Sequence, residues 1–298
     1  MARTMIEPAV LRGRARYERV MEGWTDDAGA DALAHTVRLT DPERQIELWA
    51  VTTTSPAYEI RQARCRILGG DVAPAVAGGV ASLAGARMVA GFTRRVADSV
   101  GGGAGAAFVV DAAVEVARLA RQVAKLPRDR AELATSGDPL VCWQLDTTGW
   151  IDLPDSCFTY SAAGRALFGT RPIATPMQPD LYSPRPGQRR VFVRTKRARL
   201  ERLDGRLGLF HSMHDDVHGF EVTYEVDTAT GRVLRAEHIT PKLPYMGICS
   251  EPQRKIAALV GEIADDGLRK RIAPLIGGAS GCAQLYDLTA DVLKLLSS

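Results

Sequence analysis

The chain of 298 residues predicts an α+β fold: two copies of an antiparallel β-hairpin or sheet followed by helices, arranged as a pseudo-two-fold intrachain repeat. Three observations predict it. At an offset of 176, ten of the 29 positions from 83 to 111 are identical to their counterparts, among them Gly85/Gly261, Gly91/Gly267, Arg95/Arg271, Gly105/Gly281 and Asp111/Asp287. The same offset carries His35-Thr36-Val37 onto His211-Ser212-Met213. A gap of seven residues then aligns Arg14–Val20 with Arg197–Leu203. Self-similarity over this length is a statement about architecture.

Taken in order, the first copy (1–126) offers strands at Ile46–Val51 and Tyr58–Ile67, with Thr53-Thr54-Ser55-Pro56 at the turn. Helices are expected near 74–90, 91–100 and 104–125. Residues 127–188 belong to neither copy. Their eight prolines with Trp143, Trp150, Phe158, Tyr160 and Phe168 predict an ordered connection that packs along the repeats. In the second copy (189–298), Val191–Leu203 alternates charged and apolar residues as a half-buried strand does. Asp204-Gly205 turns the chain into a strand at Arg206–Met213, and Phe220–Val226 with Arg232–Ile239 makes a hairpin. Ser250-Glu251-Pro252 reads as a helix start, with Ile256, Leu259, Val260 and Ile263 on one face of a helix reaching Ala264. Further helices are expected at Leu268–Ile276 and from about Gly281 to Leu296, with Gly277-Gly278 between them as a tight turn.

Composition narrows the class. A net charge of +3 is too small to argue for nucleic acid. Five widely spaced cysteines without a CxxC pair suit reduced thiols in the cytoplasm better than a disulfide framework. Residues 1–25 hold Arg3, Arg12, Arg14 and Arg16 but no apolar core of a signal peptide. The Ala/Gly-rich stretch from Val72 to Ala90 reads as a buried helix, so no membrane partner is expected. The glycines of 101–105 and 277–281 follow helices and lack a Walker lysine, which disfavours a phosphate loop.

Four of the five histidines (His211, His214, His218, His238) lie between 211 and 238, with Asp215 and Asp216 among them. Imidazole and carboxylate move protons near neutral pH or ligate metals. Three readings follow: a solvated polar loop, acid/base catalysis by His211 or His218, or a metal site. Cys249 and Cys282 stand at loop-to-helix junctions, where a helix dipole favours thiolate; the alternative is a small buried residue. Their counterparts in the first copy are Ala73 and Ala106. Eight Lys or Arg fall within 189–206. Arg197 and Arg199 would share one strand face, either solvated or holding a carboxylate or phosphate. A nucleic-acid role is disfavoured because few aromatics interleave this charge.

With these residues in view, the second copy resembles the bacterial DUF2889 family, of uncharacterised function. The likeness rests on His218, the Phe220–Val226 strand, Asp227, Arg232–Ala236, Pro244-Tyr245-Met246-Gly247-Ile248-Cys249, Leu259-Val260-Gly261, Gly267 and Gly277-Gly278-x-x-Gly281-Cys282. It spans roughly 190–298 and, more faintly, 10–124. Family members commonly read Gly-Cys-Thr-His where this chain has Gly281-Cys282-Ala283-Gln284. The order of hairpin, Cys, helix, Cys is also loosely similar to iron–sulfur scaffold proteins of the NifU type.

The expected function is therefore a cofactor-independent lyase, isomerase or hydrolase acting on a small anionic or aromatic substrate. His211, His218, Cys249 and Cys282 are its candidate catalytic residues; Arg197, Arg199, His214 and Asp215 are its candidate substrate-binding residues. No metal and no cofactor are expected, and the particle would be a monomeric pseudo-dimer or a homodimer. A non-catalytic ligand-binding or accessory protein is the alternative, and a metal or iron–sulfur carrier a third reading.

Overall fold

The computed structural model describes residues 7–265 and 267–297, so residues 1–6, with the Arg3 of the N-terminal reading, lie outside the described residues. Two runs of four strands are each followed by helices: β1 (Arg16–Asp27), β2 (Ala32–Thr40), β3 (Arg44–Thr53), β4 (Ile60–Gly70), α1 (Pro74–Gly79), α2 (Phe92–Val100), α3 (Ala106–Leu119), α4 (Arg128–Ala134), α5 (Pro139–Gly149), α6 (Ala162–Ala166), α7 (Pro179–Tyr182), β5 (Phe192–Leu203), β6 (Arg206–Asp215), β7 (Gly219–Asp227), β8 (Val233–Lys242), α8 (Ser250–Gln253), α9 (Leu268–Ile276) and α10 (Ala283–Ser297). The fold is α+β, with an eight-stranded antiparallel sheet. The chain divides into two compact units. One, here the β1–β4 unit, comprises Val20–Asp152 and Met177–Thr195; the other, the β5–β8 unit, comprises the described residues up to Arg19, Leu153–Pro176 and the chain from Lys196 onward.

In the β1–β4 unit the strands follow one another as a meander, β1 against β2, β2 against β3 and β3 against β4. β3 shows the cause: Ile46, Leu48 and Ala50 are buried while their neighbours are not, the period-2 pattern of a strand with one covered face. The amphipathic α3 covers that face, and a Cβ on Gly23 of β1 would stand 2.9 Å from Leu119 Cδ1. Inside lies His35, fully buried, with Nδ1 2.9 Å from Thr25 Oγ1 and Nε2 3.1 Å from Thr52 Oγ1. Burial lowers its pKa to about 3, so the ring is neutral.

In the β5–β8 unit β6 lies against β7 and β7 against β8. Leu207, Leu209, His211 and Met213 of β6 are buried together, and α10 packs on this strand. Its connection segment, 153–176, is ordered and clamped to the loops around it. Phe158 N donates to Gly281 O (2.8 Å), Ala174 and Met246 exchange backbone bonds, and Arg171 Nη1 reaches Gly247 O and Glu251 Oε1. Gly247 permits this closeness, since a Cβ there would lie 2.5 Å from Pro172 O, and Gly281 permits the tight loop that presents its carbonyl, since a Cβ there would lie 2.2 Å from Ile276 O.

Two expectations need correction. The helices expected to reach Ala90 and Ala264 end early, α1 at Gly79 and α8 at Gln253, each followed by a 3-10 turn. The physical reason is competition from a strand. Residues 85–88 turn extended and bond to Tyr58 and Ile60, and residues 261–264 bond to Gly231 and Val233. Val260, placed on the apolar face of the expected helix, is instead half exposed. The seven-residue gap is also unnecessary: an offset of 176 carries the bounds of β1 onto those of β5 and the bounds of α2 onto those of α9. At that offset Met21 and Gly23 stand where Arg197 and Arg199 do.

Candidate functional site

The strongest arrangement among the sequence-selected residues is built by the β6–β7 turn. Asp215 ends β6, and its side chain is withdrawn from solvent. Oδ1 accepts the backbone N–H groups of Val217 (2.8 Å) and His218, an Asx-type turn that reverses the chain. The same carboxylate faces His218 Nδ1 at 3.1 and 3.2 Å. A carboxylate accepts, so Nδ1 carries the proton and Nε2 is left with its lone pair. Nε2 has no hydrogen-bond partner among the described residues, and the ring is only 12% exposed, tilted against Phe220 at 6.1 Å. Lys242 Nζ donates to the carbonyls of Asp215 (3.2 Å) and Asp216 (3.0 Å), closing the turn from β8.

The other histidines go elsewhere. His211 points into the core and bonds Leu288 O of α10 through Nδ1 at 2.8 Å. Four residues of strand separate it from Asp215, about 13 Å, so the fold does not bring His211 to His218. His214 lies on the opposite face of β6, 47% exposed and 3.4 Å from Glu221. His238 sits on β8, its Nδ1 buried without a partner and its pKa lowered by burial.

Cys249 and Cys282 do come together, and with a third thiol that sequence reasoning missed. Cys157, from the connection segment, and Cys282 both raise the pKa of Cys249, after the larger effect of burial. Thr159 Oγ1 bridges to Cys249 Sγ at 2.9 Å. No periodicity or motif marked Cys157; only the docking of 153–176 places it. The helix-dipole expectation is reversed here. Leu285 N–H does reach Cys282 Sγ (3.4 Å), yet burial outweighs it and pushes that thiol up to about 11, while Cys157 and Cys249 are also raised, chiefly by burial. At neutral pH these are thiols, not thiolates. Gln253 is fully buried beside them, donating to Cys249 O at 3.2 Å while its Oε1 finds no partner.

Arg197 is exposed and paired with Glu18 at 3.1 Å, whereas Arg199 stacks on Phe210 at 4.9 Å. Two clefts stand apart from all these residues. One of about 370 Å³ in the β1–β4 unit is lined by Asp27, Lys125, Leu126, Ser183, Pro184 and Pro186. One of about 150 Å³ in the β5–β8 unit lies between α9 and α10. Among the described residues no group of three or more His, Cys, Asp or Glu is arranged to hold a metal ion, and no helix is long and apolar enough to cross a membrane.

No curated protein and no solved structure matches the chain. One family does: residues 197–296 match the model of DUF2889, described as a protein of unknown function.

Proposed function

We propose that the chain is an enzyme acting on a small anionic or aromatic substrate by proton transfer, as a cofactor-independent lyase, isomerase or hydrolase. His218 is its general acid/base and Asp215 the group that orients it. One observation carries this reading: a solvent-withdrawn carboxylate holds Nδ1–H and leaves Nε2 free. That is the arrangement in which an imidazole accepts a proton at Nε2 while its partner stabilises the cation formed. Nε2 would take a proton from substrate carbon or from water and return it to the product. His211, bonded in the core, and the protonated thiols of Cys249 and Cys282 are not assigned a step.

The two units are further read as products of one duplication. The shared offset of strand and helix bounds supports this, as does the matching antiparallel pairing of 85–88 and 261–264 with residues 58–60 and 231–233. The β2–β3 turn carries the same carboxylate, Asp41 accepting the backbone N–H groups of Glu43 and Arg44, but Arg44 stands there where His218 does, so the imidazole belongs to the second turn alone. Five free cysteines support a reducing compartment such as the cytoplasm.

The test is turnover across a panel of enolisable acids, aryl esters and hydroxy acids, comparing the parent with His218→Gln and Asp215→Asn. Loss of general acid/base help reduces kcat by about 10²- to 10⁴-fold. Undiminished kcat in His218→Gln on a substrate the parent converts removes the residue from the mechanism.

A further inference from the structure

The register of the β1–β4 unit assembles a surface that no linear motif announces. Trp24 of β1 pairs with Thr36 of β2, Thr36 with Trp49 of β3, and Trp49 with Arg64 of β4. These four residues form one row across the sheet. Because side chains alternate along a strand, the row lies on the face opposite Gly23, the residue against which Leu119 of α3 packs. Two strand spacings separate the indoles, about 10 Å. The small, buried Thr36 lies between them.

Guanidinium groups lie over both rings. Arg38 and Arg190 stand 5.4 and 5.2 Å from the Trp24 ring, and Arg64 stands 4.4 Å from that of Trp49. The adjacent row, Glu22, Arg38, Glu47 and Arg66, balances its own charge, with Glu47 bonded to Arg38 at 2.8 Å and to Arg66 at 3.0 Å. Arg64 and Arg190 differ. Both are exposed, and among the described residues neither guanidinium has a carboxylate partner. The excess positive charge of this face therefore sits on the two arginines held against indole rings.

We propose that this face binds single-stranded nucleic acid, with bases stacking at Trp24 and Trp49 and phosphates paired to Arg64 and Arg190. Flat aromatic floors spaced along a basic track recognise such strands without reading sequence. The guanidinium groups, already oriented by stacking, lose little freedom on pairing with phosphate. The linear sequence argues against such a partner because the basic run from 189 holds few aromatics. The sheet supplies them from β1 and β3.

The experiment is fluorescence anisotropy of the full chain with a labelled 12-nucleotide oligothymidylate between 50 and 200 mM salt. Binding is expected, with log K falling against log salt by about 0.7 per phosphate neutralised, so about 1.4 for two arginines. Arg64→Glu with Arg190→Glu should abolish binding and leave the melting temperature unchanged, since both side chains are exposed. Trp49→Leu should weaken binding about tenfold with the salt slope intact, because stacking is lost while the charges stay. Three results would overturn the proposal: no binding at 50 mM salt, unaltered affinity in the double arginine variant, or inorganic polyphosphate competing as well as unlabelled oligonucleotide. The last would mean a polyanion surface indifferent to bases. Should Trp49→Leu melt early, the arginine variants and the competition still decide.

Discussion

The Asp215 carboxylate lies 3.1 Å from His218 Nδ1 and also accepts the backbone N–H groups of Val217 and His218. One side chain thus shapes the turn and sets the tautomer of the ring, which couples the geometry of the loop to its chemistry.

That coupling separates two substitutions. Asp215→Asn keeps an oxygen for the backbone bonds but offers a weaker partner to the imidazolium, so it should lower kcat with little change in melting. Asp215→Ala loses the turn bonds as well, at about 1 kcal/mol each, and should lower both. Circular dichroism melting beside steady-state kinetics checks the pair; equal melting losses in both variants would disconnect the carboxylate from catalysis.

His35 gives the chain an acid limit. Its folded pKa, about 3, is depressed below the ordinary 6.5 by burial. The unfolded chain therefore binds a proton that the native one refuses between those values. This contribution to stability is fully present above about pH 6.5 and is lost as pH falls toward 3, at a slope of about 1.4 kcal/mol per pH unit. Urea midpoints measured from pH 7 to 4 should show this slope, and His35→Gln should flatten it.

The thiol group should resist alkylation. With Cys282 raised to about 11, its thiolate fraction at pH 8 is about two orders of magnitude below that of a free cysteine of pKa 8.5. Iodoacetamide labelling read by peptide mass should be slow at pH 8 and accelerate about tenfold per pH unit. Labelling of Cys282 at the rate of free cysteine would show that the helix N-terminus outweighs burial.

Gly281 is a close-approach glycine. A Cβ there would meet Ile276 O at 2.2 Å and disturb the loop whose Gly281 carbonyl receives Phe158 N–H. Gly281→Ala should destabilise by about 1–3 kcal/mol, the usual range for overpacking, whereas Gly278→Ser, with open space around its Cβ but φ of +63°, should cost about 1 kcal/mol. Thermal melts of the two variants order them.

Much of the architecture can be read from the chain alone. Alternation along β5 to β8, the Asp204-Gly205 turn and the apolar spacing after Gly267 and Gly281 are local signals, and the observed strands, α9 and α10 follow them. The early ends of α1 and α8 escape such signals, because extended residues 85–88 and 261–264 answer to strands far away in sequence. The same holds for chemistry. HxxHDDxH announces a cluster, but only the turn chooses His218 and sends His211 into the core beneath α10. Cys157 joins Cys249 and Cys282 because residues 153–176 dock, and Trp24 meets Arg190 because the segment before β5 bonds to the end of β1. Period and propensity act over a few residues, whereas desolvation and proximity belong to the packed chain.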